Sequence, residues 1–157
     1  MPREKLTIIQ DTREQRPWRF PKVTQYDGTV YDIEVVRRKL GAGDYSLEGF
    51  EDQIAVERKS VPDFVQSVTR SRERFTRELG LLKDMRLGCV VVEGDLSEIL
   101  DGAFPGSVAP ATVVTHVLSI WRKGVPVLFS TDAPSAARTA LALLLSERKR
   151  CRRERTP

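Results

Sequence analysis

Apolar positions along this chain follow two periods, and the change from one to the other marks out its elements. Residues 6–10 and 31–38 read as strands, the second with Ile33, Val35 and Arg37 on one side. Tyr45–Leu47 and residues 54–56 are two further short runs, β-branched and aromatic, and a tight hairpin would set them side by side. The spacing then lengthens to that of a helix over 61–85. Its polar stretch Ser71-Arg72-Glu73 predicts a break dividing 62–69 from 74–83. Leu87–Glu93 and 125–129 are continuous apolar runs, as in strands buried on both faces, while 111–121 and 133–148 are helical. Strands first and strand–helix alternation afterwards predict an α/β sandwich around a central mixed sheet.

One loop and two helical stripes stand out from this frame. Residues 15–29, QRPWRFPKVTQYDGT, read as a loop in which Trp18 and Phe20 accompany Arg16, Arg19 and Lys22. Those aromatics either plug the sheet edge or stack on unpaired bases, and packing is the commoner role of apolar anchors in a long ordered loop. Val114, Val117, Leu118 and Trp121 form one helical stripe, and Ala137, Leu141, Leu144 and Leu145 another.

Candidate chemistry concentrates in GDYSLEGFEDQIAVERKSVPD, residues 43–63. Strand alternation sends Glu57 and Lys59 to one face and Arg58 to the other. A carboxylate and an ammonium on one strand face can share a site, the first as an oxygen ligand for Mg²⁺ or Mn²⁺, the second orienting or deprotonating a water. Asp44, after a Gly-Ala-Gly turn, is the second hard ligand, and such a set suits phosphodiester hydrolysis. Asp63 has two readings, as a site residue or as part of a Ser60-Val61-Pro62-Asp63 capping box at a helix start.

Composition narrows the alternatives. The 157 residues, 40% hydrophobic, suffice for one core, so we expect one domain over 1–147 and a basic tail over 148–157. The tail region accounts for the net charge of +4. From Ser146 onward there are six Lys/Arg against two Glu, which makes Lys149, Arg150, Arg152 and Arg153 candidate phosphate contacts. Two separated cysteines, Cys89 and Cys151, exclude a Cys/His zinc cluster, and His116 reads as a surface or packing residue. No apolar run is long enough to span a bilayer, and Arg3-Glu4-Lys5 is no signal peptide, so we expect an intracellular protein.

GDYSL followed by AVERKSVPDF resembles the GD…ERKxxxD signature of the XPF-type structure-specific endonucleases, a branch of the restriction-endonuclease-like nucleases. Upstream, Asp11-Thr12-Arg13-Glu14 resembles that family's D-x-R-E motif. Downstream, the segment from Arg72 to Leu79 resembles its G-R-F-x-x-Q helix, and that from Cys89 to Gly94 the strand that follows. The resemblance runs in order from about residue 6 to 130. It implies a restriction-endonuclease-like fold and metal-dependent DNA cleavage at branched or single-strand/duplex junctions, in repair or recombination. Asp44, Glu57 and Asp11 would then bind metal, Lys59 would be the catalytic lysine, Arg58 the middle of the motif, and Glu14 and Asp63 accessory acids. Arg74 would meet the substrate backbone, and Arg13 and Arg77 are further candidate DNA contacts.

Two departures qualify what is implied. Glu78 stands where the family commonly has glutamine, and no tandem helix-hairpin-helix region follows, which leaves room for a separate DNA-binding partner. The resembling nucleases pair through this part of the fold, so the two stripes suggest a homodimer through the C-terminal helices. A nuclease-like subunit without activity, binding DNA or a partner, is the alternative.

Overall fold

In the computed structural model, which describes residues 1–156, the apolar runs become a seven-stranded mixed sheet. Its order is β2 (Val23–Tyr26), β3 (Thr29–Arg37), β1 (Arg3–Gln10), β4 (Tyr45–Leu47), β5 (Ile54–Ser60), β6 (Leu87–Glu93) and β7 (Val127–Ser130). β1 runs parallel to β3, and β5, β6 and β7 run parallel to one another; β4 lies antiparallel between the two groups. β4 therefore joins β1 to β5 and brings the motifs at their C-terminal ends to one end of the sheet.

Each face of the sheet has its own core, which gives the expected α/β/α sandwich. On one side α1 (Val61–Val68), α2 (Arg72–Lys83), α3 (Leu96–Leu100) and α4 (Pro110–Arg122) enclose Ala55, Phe64, Leu82, Val90 and Val92. On the other, α5 (Ala133–Arg155) covers Leu6, Ile8, Leu47, Val56, Cys89 and Val91. Each fully buried large side chain, such as Phe64 or Leu144, contributes about 1.5–3 kcal/mol of transfer free energy. Gly88 sets how closely α2 approaches: a Cβ there would meet the Leu82 carbonyl oxygen at 2.0 Å. Only glycine lets the end of α2 rest on β6.

Several boundaries depart from the sequence reading. The break in the first helical segment is real, but α2 resumes at Arg72, two residues earlier than expected. Within the expected loop 15–29, β2 forms a hairpin with β3 through Asp27-Gly28, both at positive φ. Trp18 is the plug: it is buried, stacks on Tyr45 at 4.7 Å with an interplanar angle of 11°, and its backbone N–H donates to the Tyr45 hydroxyl. Burial removes it from any stacking on bases.

The largest departure concerns the basic tail. α5 does not end at Arg148 but runs to Arg155, with Cys151 buried among the core residues. Four of its cations are paired with acids of the fold, Arg148 and Arg152 with Glu4, Lys149 with Asp27 and Arg150 with Glu147, while Arg86 holds Glu147 and Glu154. The stripe Ala137, Leu141, Leu144 and Leu145 is core, so that half of the expected dimer face is already used. The α4 stripe divides: Val117 is buried, whereas Leu118 and Trp121 are exposed. No helix among the described residues is long and apolar enough to cross a membrane.

Candidate active site

Backbone hydrogen bonds across three strands build the site before any side chain acts. Gly43 adopts φ +70°, a conformation that costs an L-residue about 1–2 kcal/mol. The turn it makes lets the Asp44 N–H donate to the Val56 carbonyl at 2.9 Å, and the Asp44 carbonyl then accepts from the Asp11 N–H at 2.8 Å. Asp44 thus bridges β5 and the end of β1. Its carboxylate accepts the Arg58 N–H at 2.8 Å, which fixes it beside the motif strand.

Alternation along β5 divides the motif as expected. Glu57 and Lys59 face α2, with the Lys59 Nζ 3.4 Å from Glu57, 3.9 Å from Glu78 and 5.0 Å from the centre of the Phe75 ring. Arg58 points to the other side, where it makes a bidentate pair with Glu93 and a 3.1 Å bond to Glu14. The Glu93 carboxylate also accepts from the Trp18 indole N–H, and the Arg58 guanidinium lies 5.9 Å from the centre of the Trp18 ring. A buried pair of this kind contributes little net stability when complete, but removing one partner leaves an uncompensated charge. Arg58 is a fastener between β5, β6 and the loop carrying Trp18.

Electrostatics separates the acids into two kinds. Burial pushes the Asp44 and Glu57 carboxyls well above the ordinary carboxylate range, and neighbouring acid charge adds to the push, that of Asp44 on Glu57 and that of Glu14 and Asp11 on Asp44. Lys59 opposes it without cancelling it. Asp11 goes the other way. Burial alone would raise it, but the Arg13 side chain at 2.7 Å, the Leu40 N–H at 2.7 Å and the Arg13 N–H at 3.0 Å hold it below its usual value. Both Asp11 oxygens are therefore committed to protein donors, whereas Asp44 and Glu57 each keep one oxygen without a protein partner among the described residues.

These groups open onto one cleft of about 530 Å³. Asp11, Arg13, Glu14, Asp44, Glu57, Arg58, Lys59, Asp63 and Arg74 all line it. Ser60 caps α1, its hydroxyl accepting from the Asp63 N–H at 3.2 Å, but no reciprocal bond from the Asp63 side chain completes a box, and that carboxylate stays exposed at the rim. Arg74 pairs with Glu78 at 3.1 Å. Arg77 is exposed outside the cleft lining. Lys149, Arg150, Arg152 and Arg153 do not join it either: Arg152 pairs with Glu4, which at about 3.3 Å per residue lies some 23 Å down β1 from Asp11. Arg16, named in the sequence only beside the loop aromatics, also lines the cleft, as do Glu93 and Leu81, which sequence reasoning missed as site residues. Only Glu93 carried a signal, as the acid closing a buried strand parallel to the motif strand.

The donor set suits a hard divalent cation. Two carboxylates destabilised by burial and by neighbouring acids gain most from a positive ion, and each offers a free oxygen. No cluster of three or more His, Cys, Asp or Glu side chains among the described residues is arranged to enclose a metal. Water and substrate oxygens would have to complete the shell, as is usual for Mg²⁺.

The ERCC4 domain family profile matches residues 10–143. Over 157 residues, 99% of the chain, the sequence is 27% identical to a Methanocaldococcus jannaschii protein named as a putative ATP-dependent RNA helicase, MJ1505, of which it spans 17%. XPF from Aeropyrum pernix superposes with a TM-score of 0.64 at 19% identity, covering 90% of this chain and 61% of that one. XPF from the same organism in complex with DNA gives 0.64 at 20% identity, covering 92% and 66%. At such identity the likeness is one of fold, and the chain spans less than two thirds of either XPF chain.

Proposed function

Because the chain belongs to the ERCC4 domain family, we propose that it is a Mg²⁺- or Mn²⁺-dependent DNA endonuclease. The observation that carries this reading is the pairing of two strained carboxylates, Asp44 and Glu57, with Lys59 3.4 Å from Glu57 in an open cleft. Asp44 and Glu57 would hold the cation, which when bound supplies Lewis acidity toward a phosphoryl oxygen and a nucleophile at neutral pH.

The protein's own groups do the rest. Lys59, held over Phe75 between Glu57 and Glu78, orients a water or a phosphate oxygen at the Glu57 side of the cleft. Arg58 acts through position: its backbone N–H aims Asp44, and its side chain ties the strand to Glu93 and Glu14. Asp11 orders the β1 end by holding Arg13 and Leu40, leaving the Arg13 guanidinium at the rim for phosphate. Arg74 is the second rim cation. Asp63 faces the same space and belongs to the water network.

Action on branched or junction DNA in repair or recombination, inside the cell, completes the reading. A second DNA-gripping partner fits a cleft that has few free cations of its own. Self-association uses Leu118 and Trp121 of α4 and the neighbouring Leu96 and Leu100 of α3, all exposed, rather than the buried α5 stripe. Sedimentation at micromolar protein tests this, and a monomer throughout would refute it. The central test is cleavage of labelled flap, fork, duplex and single-stranded DNA with Mg²⁺, Mn²⁺ or EDTA. Wild type should cut with metal and Asp44→Ala should not; binding without cutting by wild type would favour the silent-subunit reading.

A further inference from the structure

The cleft does not end at Arg58. A shallow, open concavity continues past it over the upper ends of β1 and β3, lined by Gln10, Arg16, Trp18, Arg19, Phe20 and Val35. Arg16 and Arg58 border both spaces, so the two are one continuous surface. We propose that this surface is the path of an unpaired DNA strand entering or leaving the cleft. The proposal rests on the nuclease reading for the identity of the cleft, and its own support is chemical.

Three observations point to a single strand. First, two of the cations here are unpaired: among the described residues neither Arg16 nor Arg19 makes an ion pair, in contrast to the paired Arg58 beside them and to Arg148, Lys149, Arg150 and Arg152 of α5. Unpaired guanidinium groups next to an acidic cleft are available to phosphates. Second, apolar surface lies exposed among them. Val35 is 40% exposed although Ile8, its partner across the β1–β3 ladder, is fully covered, and Phe20 is half-buried. Apolar and aromatic surface alternating with free cations is what binds unpaired bases and their backbone; a duplex hides its base faces.

Third, the platform is rigid. Phe20 meets Tyr45 edge-on at 5.4 Å and Trp18 at 6.4 Å, and Trp18 is itself held by the Tyr45 stack and by Glu93. Little ordering remains to be done when a strand binds. Trp18 supports the surface from beneath, while Phe20, Val35, Arg16 and Arg19 meet the strand.

Arg19→Glu tests this best, because Arg19 is exposed, makes no ion pair among the described residues and lies outside the cleft. Affinity is measured by fluorescence anisotropy on labelled oligothymidine and on a blunt duplex of equal length, with EDTA present so that nothing is cut. Arg19→Glu should weaken single-strand binding about tenfold and lower the salt slope by about 0.7 or more, the share of one phosphate contact. Arg19→Lys should restore both, and duplex affinity should change less than about twofold. Val35→Glu provides a second arm with the same selectivity. An equal loss on both DNAs, no loss on either, or a wild type that binds no single strand would overturn the proposal. Cleavage is scored separately. A wild type that cuts while Arg19→Glu binds normally refutes the strand path and spares the nuclease reading; selective loss in a protein that never cuts supports the path and refutes the nuclease.

Discussion

Replacing Glu57 with glutamine should stabilise the metal-free protein at pH 8 and leave it nearly unchanged at pH 4. Burial and the neighbouring Asp44 push the Glu57 carboxyl upward, and the attraction of Lys59 is already included in that net direction. In the folded state Glu57 therefore keeps a proton that the unfolded chain has released. Such a group's contribution to stability is complete below the unfolded pKa and is lost as pH rises through the folded one. Each pH unit in that window costs up to about 1.4 kcal/mol per group. With Glu57 only 13% exposed there is little solvent screening, and the stability gap between the Glu57→Gln variant and wild type should open by on the order of 2 kcal/mol between about pH 5 and pH 7. Urea unfolding followed by tryptophan fluorescence from pH 4 to pH 8 measures it, since Trp18 is buried and reports the site. Adding Mg²⁺ at pH 8 should raise the midpoint of wild type and not that of the variant. A stability difference that does not change with pH, or an equal response to Mg²⁺ in both proteins, would refute the account of Glu57 as a strained ligand.

Other parts of the structure give sharper yes-or-no outcomes. Trp18→Ala should lower stability by about 3–5 kcal/mol in a urea melt, since it removes a buried aromatic and a donor to Glu93. Arg58→Lys should cost about 2–3 kcal/mol and most of the cleavage activity, because a lysine cannot reproduce the bidentate bond to Glu93; an unchanged melt would remove Arg58 as the fastener. Gly88→Ala should destabilise by about 3 kcal/mol or more, its methyl group falling on the Leu82 carbonyl. Arg152→Ala combined with Arg153→Ala should shift the melt by less than about 1 kcal/mol and DNA affinity by less than about twofold, as expected of exposed cations remote from the cleft; a large loss of DNA binding would return α5 to the interface.

Most of the fold could be read in advance because its signals are local. Leu87–Glu93 is apolar throughout its middle and is buried on both faces; Ser71 to Glu73 is polar and the helix breaks beside it. Alternation in β5 was enough to separate Glu57 and Lys59 from Arg58. The β2–β3 hairpin was missed although Asp27-Gly28, a strong two-residue turn signal, lay in view within a segment whose prolines suggested a loop. The fate of the basic tail was not legible. Whether a run of arginines reaches solvent or acids depends on which strand starts lie beneath it, and Glu4, Asp27 and Arg86 come from three separate stretches of chain. Glu93 escaped notice for the same reason: its partners Trp18 and Arg58 are 75 and 35 residues away.

The opposed side chains of β5 also bear on how this strand can vary over evolution. Its front presents Glu57 and Lys59 to the cleft, and its back clamps Arg58 onto Glu93, with successive residues assigned to opposite tasks. A strand that slips or gains one residue would carry Arg58 to the α2 side, away from Glu93, and drive the acid and the amine toward the Trp18 side of the sheet. A single side-chain exchange around this strand loses one set of contacts, whereas a change in its length loses all of them. Insertions and deletions between Ile54 and Ser60 should therefore be lethal to the site, and the turn from Gly49 to Gln53 is held as well, since Phe50 is core and the Gln53 carbonyl accepts from the Leu87 N–H.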